Sequence, residues 1–350
     1  MPIPTEPIGS IPRPTELIEA VQAGEPEEEL ARLRELALRD TISAFEATGS
    51  PVISDGEQTK PSFATYPLAG LGNLAPDGVV IPFEDGHTRQ LPRLTAGPFR
   101  FAEHADAYLS QALRFATVAI KQAVIAPSAL SLIYPSEPID GYPRDRFIED
   151  LLDESERDVR SCLKLGAHKV QLDFTEGRLA LKLDPSGELL RQFIELNNRL
   201  LDRFTERERE RIGIHTCPGG DRDSTHSRDV PYAQLLPSLL GMRAGNFYIQ
   251  LASERDPHSV LELIRDHARP GQTLFVGVID PVDPRVETAE EVRDRVLEAA
   301  KVLGVERLGS TDDCGFAPFA DDTSTPRETA FAKIRARVQG TAMASEQLRV

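Results

Sequence analysis

The chain has 350 residues, 40% of them hydrophobic, which is enough for a full core, and it carries a net charge of −16. That charge argues against nonspecific nucleic-acid binding and against an anionic membrane surface, both of which need basic patches. No apolar run approaches the ~18 residues of a membrane span, and three cysteines in a chain this long are no disulfide framework.

Eight short apolar segments can be picked out along the chain, ending near Gly9, Asp55, Ala126, Asp173, His215, Ala252, Asp280 and Thr311. Most are followed by charged, leucine-rich amphipathic stretches, at 27–47, 144–165, 187–206, 259–268 and 288–303. Alternation of this kind argues for parallel β/α units, and eight units argue for an α/β fold of the (β/α)8 TIM-barrel type filling residues 1–350 as one domain. An open doubly wound sheet is the competing arrangement, but no Gly-x-Gly-x-x-Gly follows an early strand.

The stretch 58–116 breaks the rhythm after the second strand. Apolar-polar runs at 78–83 and 88–93 flank Asp85-Gly86, a hairpin turn signal. A β-hairpin and then a helix at about 102–115 are expected there, as an insertion over or beside the barrel mouth, with His87 and His104 facing solvent. The opening Met1-Pro2-Ile3-Pro4 lacks the features of a signal peptide, so the expected location is cytoplasmic, where thiols stay reduced.

The chemistry gathers at Ile212-Gly213-Ile214-His215-Thr216-Cys217 and, far downstream, at Asp313-Cys314-Gly315. Strand positions i and i+2 point to one side, so His215 and Cys217 can reach one ion at a strand end. One imidazole and two thiolates suit Zn2+, and three protein ligands with one open position is the catalytic pattern. Packing is the alternative, since free cysteine is commonly a small buried hydrophobe. Cys162, inside a helical stretch, is read as packing alone. The candidate residues fall at or beyond the C-terminal ends of separate strands, where barrel enzymes place their chemistry. The polar loop 218–229 offers Arg222, His226 and Arg228 to an anionic substrate group, or simply to solvent. In the loop after Cys314, Thr325 precedes Pro326, expected at the first position of the last helix.

His-x-Cys followed by Asp-Cys-Gly resembles the zinc site of the cobalamin-independent methionine synthase family, in particular its C-terminal catalytic half and short relatives. Ile8-Gly9-Ser10 is similar to the family's homocysteine-contacting Ile-Gly-Ser. Asp55-Gly56-Glu57 and Gln171-Leu172-Asp173 are similar to the segments whose carboxylates hold the substrate amino group. Gly277-Val278-Ile279-Asp280, then Asp283-Pro284-Arg285, is similar to a third family segment. The resemblance implies Zn2+ on His215, Cys217 and Cys314, substrate contacts from Ser10, Glu57 and Asp173, and a proton relay at Asp280.

Three departures accompany it. Val282 stands where the family has its catalytic histidine. The chain has no tryptophan to stack on a folate, Ile133 or Tyr134 lying nearest in sequence. Leu251 stands where the family has a glutamate zinc ligand, which leaves Glu254, three residues on, as the replacement. The function implied is alkyl transfer to a small-molecule thiol, with methyl transfer to homocysteine from methylfolate or methylcobalamin foremost. Epoxide opening by coenzyme M, which related transferases perform, is the alternative; a barrel with a purely structural zinc is a third reading.

Overall fold

The computed structural model describes residues 2–350. Seven parallel strands succeed one another: β1 (Val52–Ile53), β2 (Gln122–Ile125), β3 (Val170–Asp173), β4 (Ile212–Thr216), β5 (Asn246–Ile249), β6 (Thr273–Ile279) and β7 (Leu308–Asp312). Strands β2 to β7 form one sheet in chain order. Strand β1 pairs in parallel with Ala119–Ile120, the lead-in to β2.

The eighth segment lies at residues 3–9. Thr5 bridges Ser310 of β7 in parallel, with Glu6 N–H donating to the Ser310 carbonyl (3.0 Å) and Ser310 N–H to that of Pro4 (2.9 Å). Pro4 and Pro7 remove backbone donors, which keeps this segment from forming a regular ladder. The seam to β1 closes through Ile11 N–H to the Gly56 carbonyl (3.0 Å) and the Ser54 hydroxyl to that of Gly9 (2.6 Å). Eight segments therefore surround a closed axis, and the expected barrel is the fold.

Alternation along the strands divides each between core and lumen. Val170, Leu172, Ile212, Ile214, Phe247 and Ile249 belong to the main hydrophobic core. Tyr248 and Phe275 pack apart from it, with Ile8, inside the ring. Their rings stack with centroids 4.7 Å apart, and a Cβ on Gly213 or Gly309 would lie 2.4 Å from one of them. Polar groups complete this floor. The Tyr248 hydroxyl donates to Glu6 (2.6 Å), Lys169 Nζ lies 2.6 Å from the other Glu6 oxygen, and Lys121 Nζ sits 3.6 Å from the Tyr248 ring centroid.

The helices Glu27–Glu46, Arg144–Leu165, Glu188–Leu201, Pro257–His267, Ala289–Leu303 and Arg327–Leu348 surround the ring. The expected 187–206 helix stops at Leu201, because Thr205 and Glu208 form a capping box that starts a separate turn. Pro326 is the N-cap of the last helix, one position earlier than expected.

Between β1 and β2, Val80–Pro82 pairs antiparallel with Thr88–Gln90, continued below by Leu74–Ala75 with Arg93–Leu94. A helix, Ala105–Ala112, follows. His87 and His104 do not face solvent as expected. His87 stacks on Phe83 (4.3 Å) and reaches Asp221, and His104 Nε2 lies 3.0 Å from Glu154. Among the described residues no helix is long and apolar enough to cross a membrane.

Candidate active site

His215 is the inward-facing penultimate residue of β4, in register with Asp173 of β3 and Tyr248 of β5. Its Nδ1 lies 3.3 Å from the Tyr248 carbonyl, which can only accept, so Nδ1 carries the proton and Nε2 the lone pair. That Nε2 is buried and has no hydrogen-bond partner. Cys217 follows the end of β4 and Cys314 the end of β7, with their Sγ atoms 3.0 Å apart. The ligand atoms of His215, Cys217 and Cys314 all lie within 4.8 Å of one another. An orphaned imidazole lone pair facing two thiols, with a carbonyl behind the ring, is the donor set and outer support that a soft divalent ion requires.

The two thiols titrate as a pair. The hydrogen bond from Cys217 holds Cys314 below the ordinary thiol range, helped by His215 against the effect of burial, and the same bond pushes Cys217 up. Glycines let these loops approach. Gly219 has φ +72°, and a Cβ there would meet the His226 ring at 1.8 Å; a Cβ on Gly315 would meet Ser10 Oγ at 2.1 Å.

The cluster opens into a cavity with about 820 Å³ of empty space, its mouth included. Ser10, Glu57, Asp173, His215 and Cys314 all line it, so five of the expected site residues meet there. Cys217 is buried behind them. Ser10 Oγ accepts from Ala317 N–H (3.2 Å), which ties the first segment to the Cys314 loop. Glu57 is held at φ +55°, a left-handed conformation rare outside glycine and concentrated at functional sites. Burial raises its carboxyl to about 7, against the pull of Lys60, whose Nζ lies 3.3 Å away. Burial raises Asp173 as well, although His215 and the amide of Gln171 (2.7 Å) oppose it.

Two expected residues lie elsewhere. Glu254 is drawn off by Arg178, a buried guanidinium 2.6 Å from its carboxylate, and takes no place in the His-Cys-Cys cluster. Leu251, four per cent exposed, stays apolar in its loop, which Asp313 clamps by accepting from the backbone of 251, 252 and 253 at 2.7–2.8 Å. Asp280 accepts from Val282 N–H (3.0 Å) as a loop brace and does not line the cavity. Of the loop candidates, His226 lines the cavity, with burial pushing its imidazole down to about 4, whereas Arg222 and Arg228 are exposed.

The outer wall is aromatic despite the missing tryptophan. Phe63, Phe83 and Phe319 line it, while Ile133 and Tyr134 do not. Phe83 comes from the hairpin, whose Arg89 bridges Asp221 (2.6 Å) and Asp321 (2.9 Å). Sequence reasoning missed Lys60 and Glu176, both buried. For Glu176 a signal existed in its place three residues beyond Asp173 at the strand end.

A family model for the catalytic domain of cobalamin-independent synthase matches residues 125–341, more than half of the chain. A methionine synthase of Methanothermobacter thermautotrophicus is 25% identical over 314 residues, covering 86% of this chain and 85% of that protein. A 2-hydroxypropyl-CoM lyase of Xanthobacter autotrophicus is 33% identical over 94 residues, only 27% of this chain and 23% of its own. Among solved structures, a B12-independent methionine synthase from Shewanella sp. W3-18-1 in complex with selenomethionine superposes with a TM-score of 0.77 at 21% identity, over 100% of this chain and 99% of that one. The motifs, the barrel and the family match agree: the chain belongs to the cobalamin-independent methionine synthase family.

Proposed function

We propose that this protein transfers a methyl group to the sulfur of homocysteine, with zinc held by His215, Cys217 and Cys314. The observation that carries the reading is the convergence of that donor set and two desolvated carboxylates on one cavity. Zinc, when bound, supplies a thiol at neutral pH as the nucleophilic thiolate.

The chain's own residues select the acceptor by charge. Glu57 and Asp173 bring two carboxyl groups and Lys60 one ammonium, so one negative charge remains to be met once both carboxyls ionise. An α-ammonium meets it. A second anion, such as the sulfonate of coenzyme M, adds to it, and this favours homocysteine over the epoxide-type reading. The acceptor carbon chain can lie against Ile8 and Ala123. The donor would occupy the aromatic outer half, which the hairpin lines with Ile81 and Phe83.

The test is the zinc-loaded protein with homocysteine or coenzyme M, each offered methylfolate, methylcobalamin and a short epoxide. Homocysteine should be the acceptor used. Asp173→Asn keeps shape and removes charge, so it should raise the homocysteine KM by roughly tenfold to hundredfold, the equivalent of ~1.5–3 kcal/mol for one charge-assisted hydrogen bond, with zinc content unchanged. Turnover of coenzyme M and none of homocysteine would replace this reading with the epoxide-type one.

A further inference from the structure

Breaking a bond from carbon to an amine nitrogen or an epoxide oxygen leaves a strongly basic atom, so such a donor departs only if it is protonated as the bond breaks. The loop 280–287 after β6, which contains Val282, holds no histidine that could do this. Asp280 lies outside the cavity, braced on its own loop. Inside it, burial keeps His226 neutral, Glu57 is paired with Lys60, and Asp173 is engaged by Gln171.

Glu176 is different. It is four per cent exposed, caps the helix Gly177–Leu183 and lines the same cavity as His215 and Cys314. Its Oε1 accepts from the Ser128 hydroxyl, and its Oε2 is buried with no hydrogen-bond partner among the described residues. Ser128 is fixed in turn by Asn197, whose side-chain amide donates to Ser128 Oγ (2.8 Å) and accepts from Ser128 N–H (3.2 Å). Ser128 Oγ accepts from Asn197 and donates its own proton to Oε1. The brace thereby leaves Oε2 as the oxygen that carries the carboxyl proton.

We propose that Glu176 is the catalytic acid of the transfer, delivering the Oε2 proton to the atom that leaves the alkyl donor. This rests on the transfer reading above. The acceptor sulfur, its own proton already lost to solvent, forms a bond to the donor carbon. The carbon–nitrogen or carbon–oxygen bond breaks, and its electron pair stays on the heteroatom. The Glu176 proton joins that pair, and the carboxylate takes its next proton from water. A thiol and an alkyl donor become a thioether and a protonated donor remnant.

The environment suits the role. Burial raises the carboxyl to about 8, against the Ser128 hydrogen bond. The titratable group that bears on it is Asp173, from the same strand end, whose charge raises it further. Its hydrogen-bond partner Ser128, and Asn197 behind that serine, do not titrate. The group is therefore mostly protonated at neutral pH and loses its proton as pH rises through about 8.

The experiment compares wild type with Glu176→Gln, both zinc-loaded and given homocysteine, using donors that differ in their need for a proton. Methyltetrahydrofolate and 1,2-epoxypropane need one; methylcobalamin and iodomethane do not. Glu176→Gln should lower kcat by ~100-fold or more with the first pair and leave S-methylation by the second within about twofold, since general acid catalysis contributes roughly 10²–10⁴. Zinc content should not change, and the alkaline limb of the wild-type kcat profile should vanish. If that variant does not fold, Ser128→Ala reads the same group, and its alkaline limb should move. An unmoved limb, an equal loss with all donors, or full activity of Glu176→Gln on a proton-requiring donor overturns the acid. Wild type that works with methylcobalamin alone overturns it too, and leaves transfer to homocysteine standing. Wild type silent with every donor overturns the transfer reading and Glu176 with it.

Discussion

His215 shows how a neighbour in the sheet fixes which ring nitrogen is left free to bind. The Tyr248 carbonyl fixes the proton on Nδ1, and the unpartnered Nε2 then faces two sulfurs. Removing one thiolate from a three-ligand site should release the ion. Cys217→Ser and Cys314→Ser are expected to purify with little or no zinc and no transferase activity. Cys162, fully buried in the helix Arg144–Leu165, touches none of this, and Cys162→Ser should keep one zinc per chain. Equal metal loss in all three, measured by elemental analysis, would remove the cluster as the metal site.

At the scale of elements, three loops are locked over the barrel mouth. Arg89 on the hairpin reaches Asp221, beyond Cys217, and Asp321, beyond Cys314, while Arg222 adds a second contact to Asp321 at 2.8 Å. Arg89 is partly exposed, so its ion pairs are screened and worth about 1–2 kcal/mol together. Arg89→Ala should speed hydrogen exchange in 218–226 and raise the donor KM by roughly tenfold, with zinc content unchanged. Unaltered exchange would show that the hairpin does not restrain the loop. None of this lock was legible in sequence. Residues 89, 221 and 321 carry no periodicity that pairs them, and only folding brings them together. Strand ends were legible, because each apolar segment stops at a polar or glycine residue that the barrel places at its rim. Glu254 is offered by its place three residues past Leu251, and nothing in sequence shows that the buried Arg178 of the helix Gly177–Leu183 pairs with it.

For the molecule as a whole, the polar floor beneath the site couples stability to charge. Glu6 is buried, and burial alone would raise its carboxyl. Hydrogen bonds from His168 and Lys169, with the charge of Lys121, overcome that and hold it well below the usual carboxylate range. A depressed folded value means that the stabilisation is fully present above the unfolded value, near 4.5. It is lost progressively as pH falls below that value and through the lower folded one. Glu6→Gln leaves Lys121 and Lys169 uncompensated and should cost ~3–5 kcal/mol in urea unfolding at neutral pH. The deficit should shrink progressively as pH falls below about 4.5. A variant as stable as wild type at pH 7 would show that the floor contributes no net stability.

The same ring closure sets an order of events for the newly made chain. Thr5 finds its neighbour only at Ser310, and Cys217 meets Cys314 across a sequence separation of 97. Contacts so distant along the sequence are slow to form, because the intervening chain must first be gathered in. The soft-ion pocket therefore cannot exist in any early folding species. Until β7 docks, His215 and Cys217 offer a cation two weak ligands, and Cys314 is an unprotected thiol. If zinc binds as proposed, its capture should be a late event, and the rate at which a refolding sample takes up zinc should follow the final closure step.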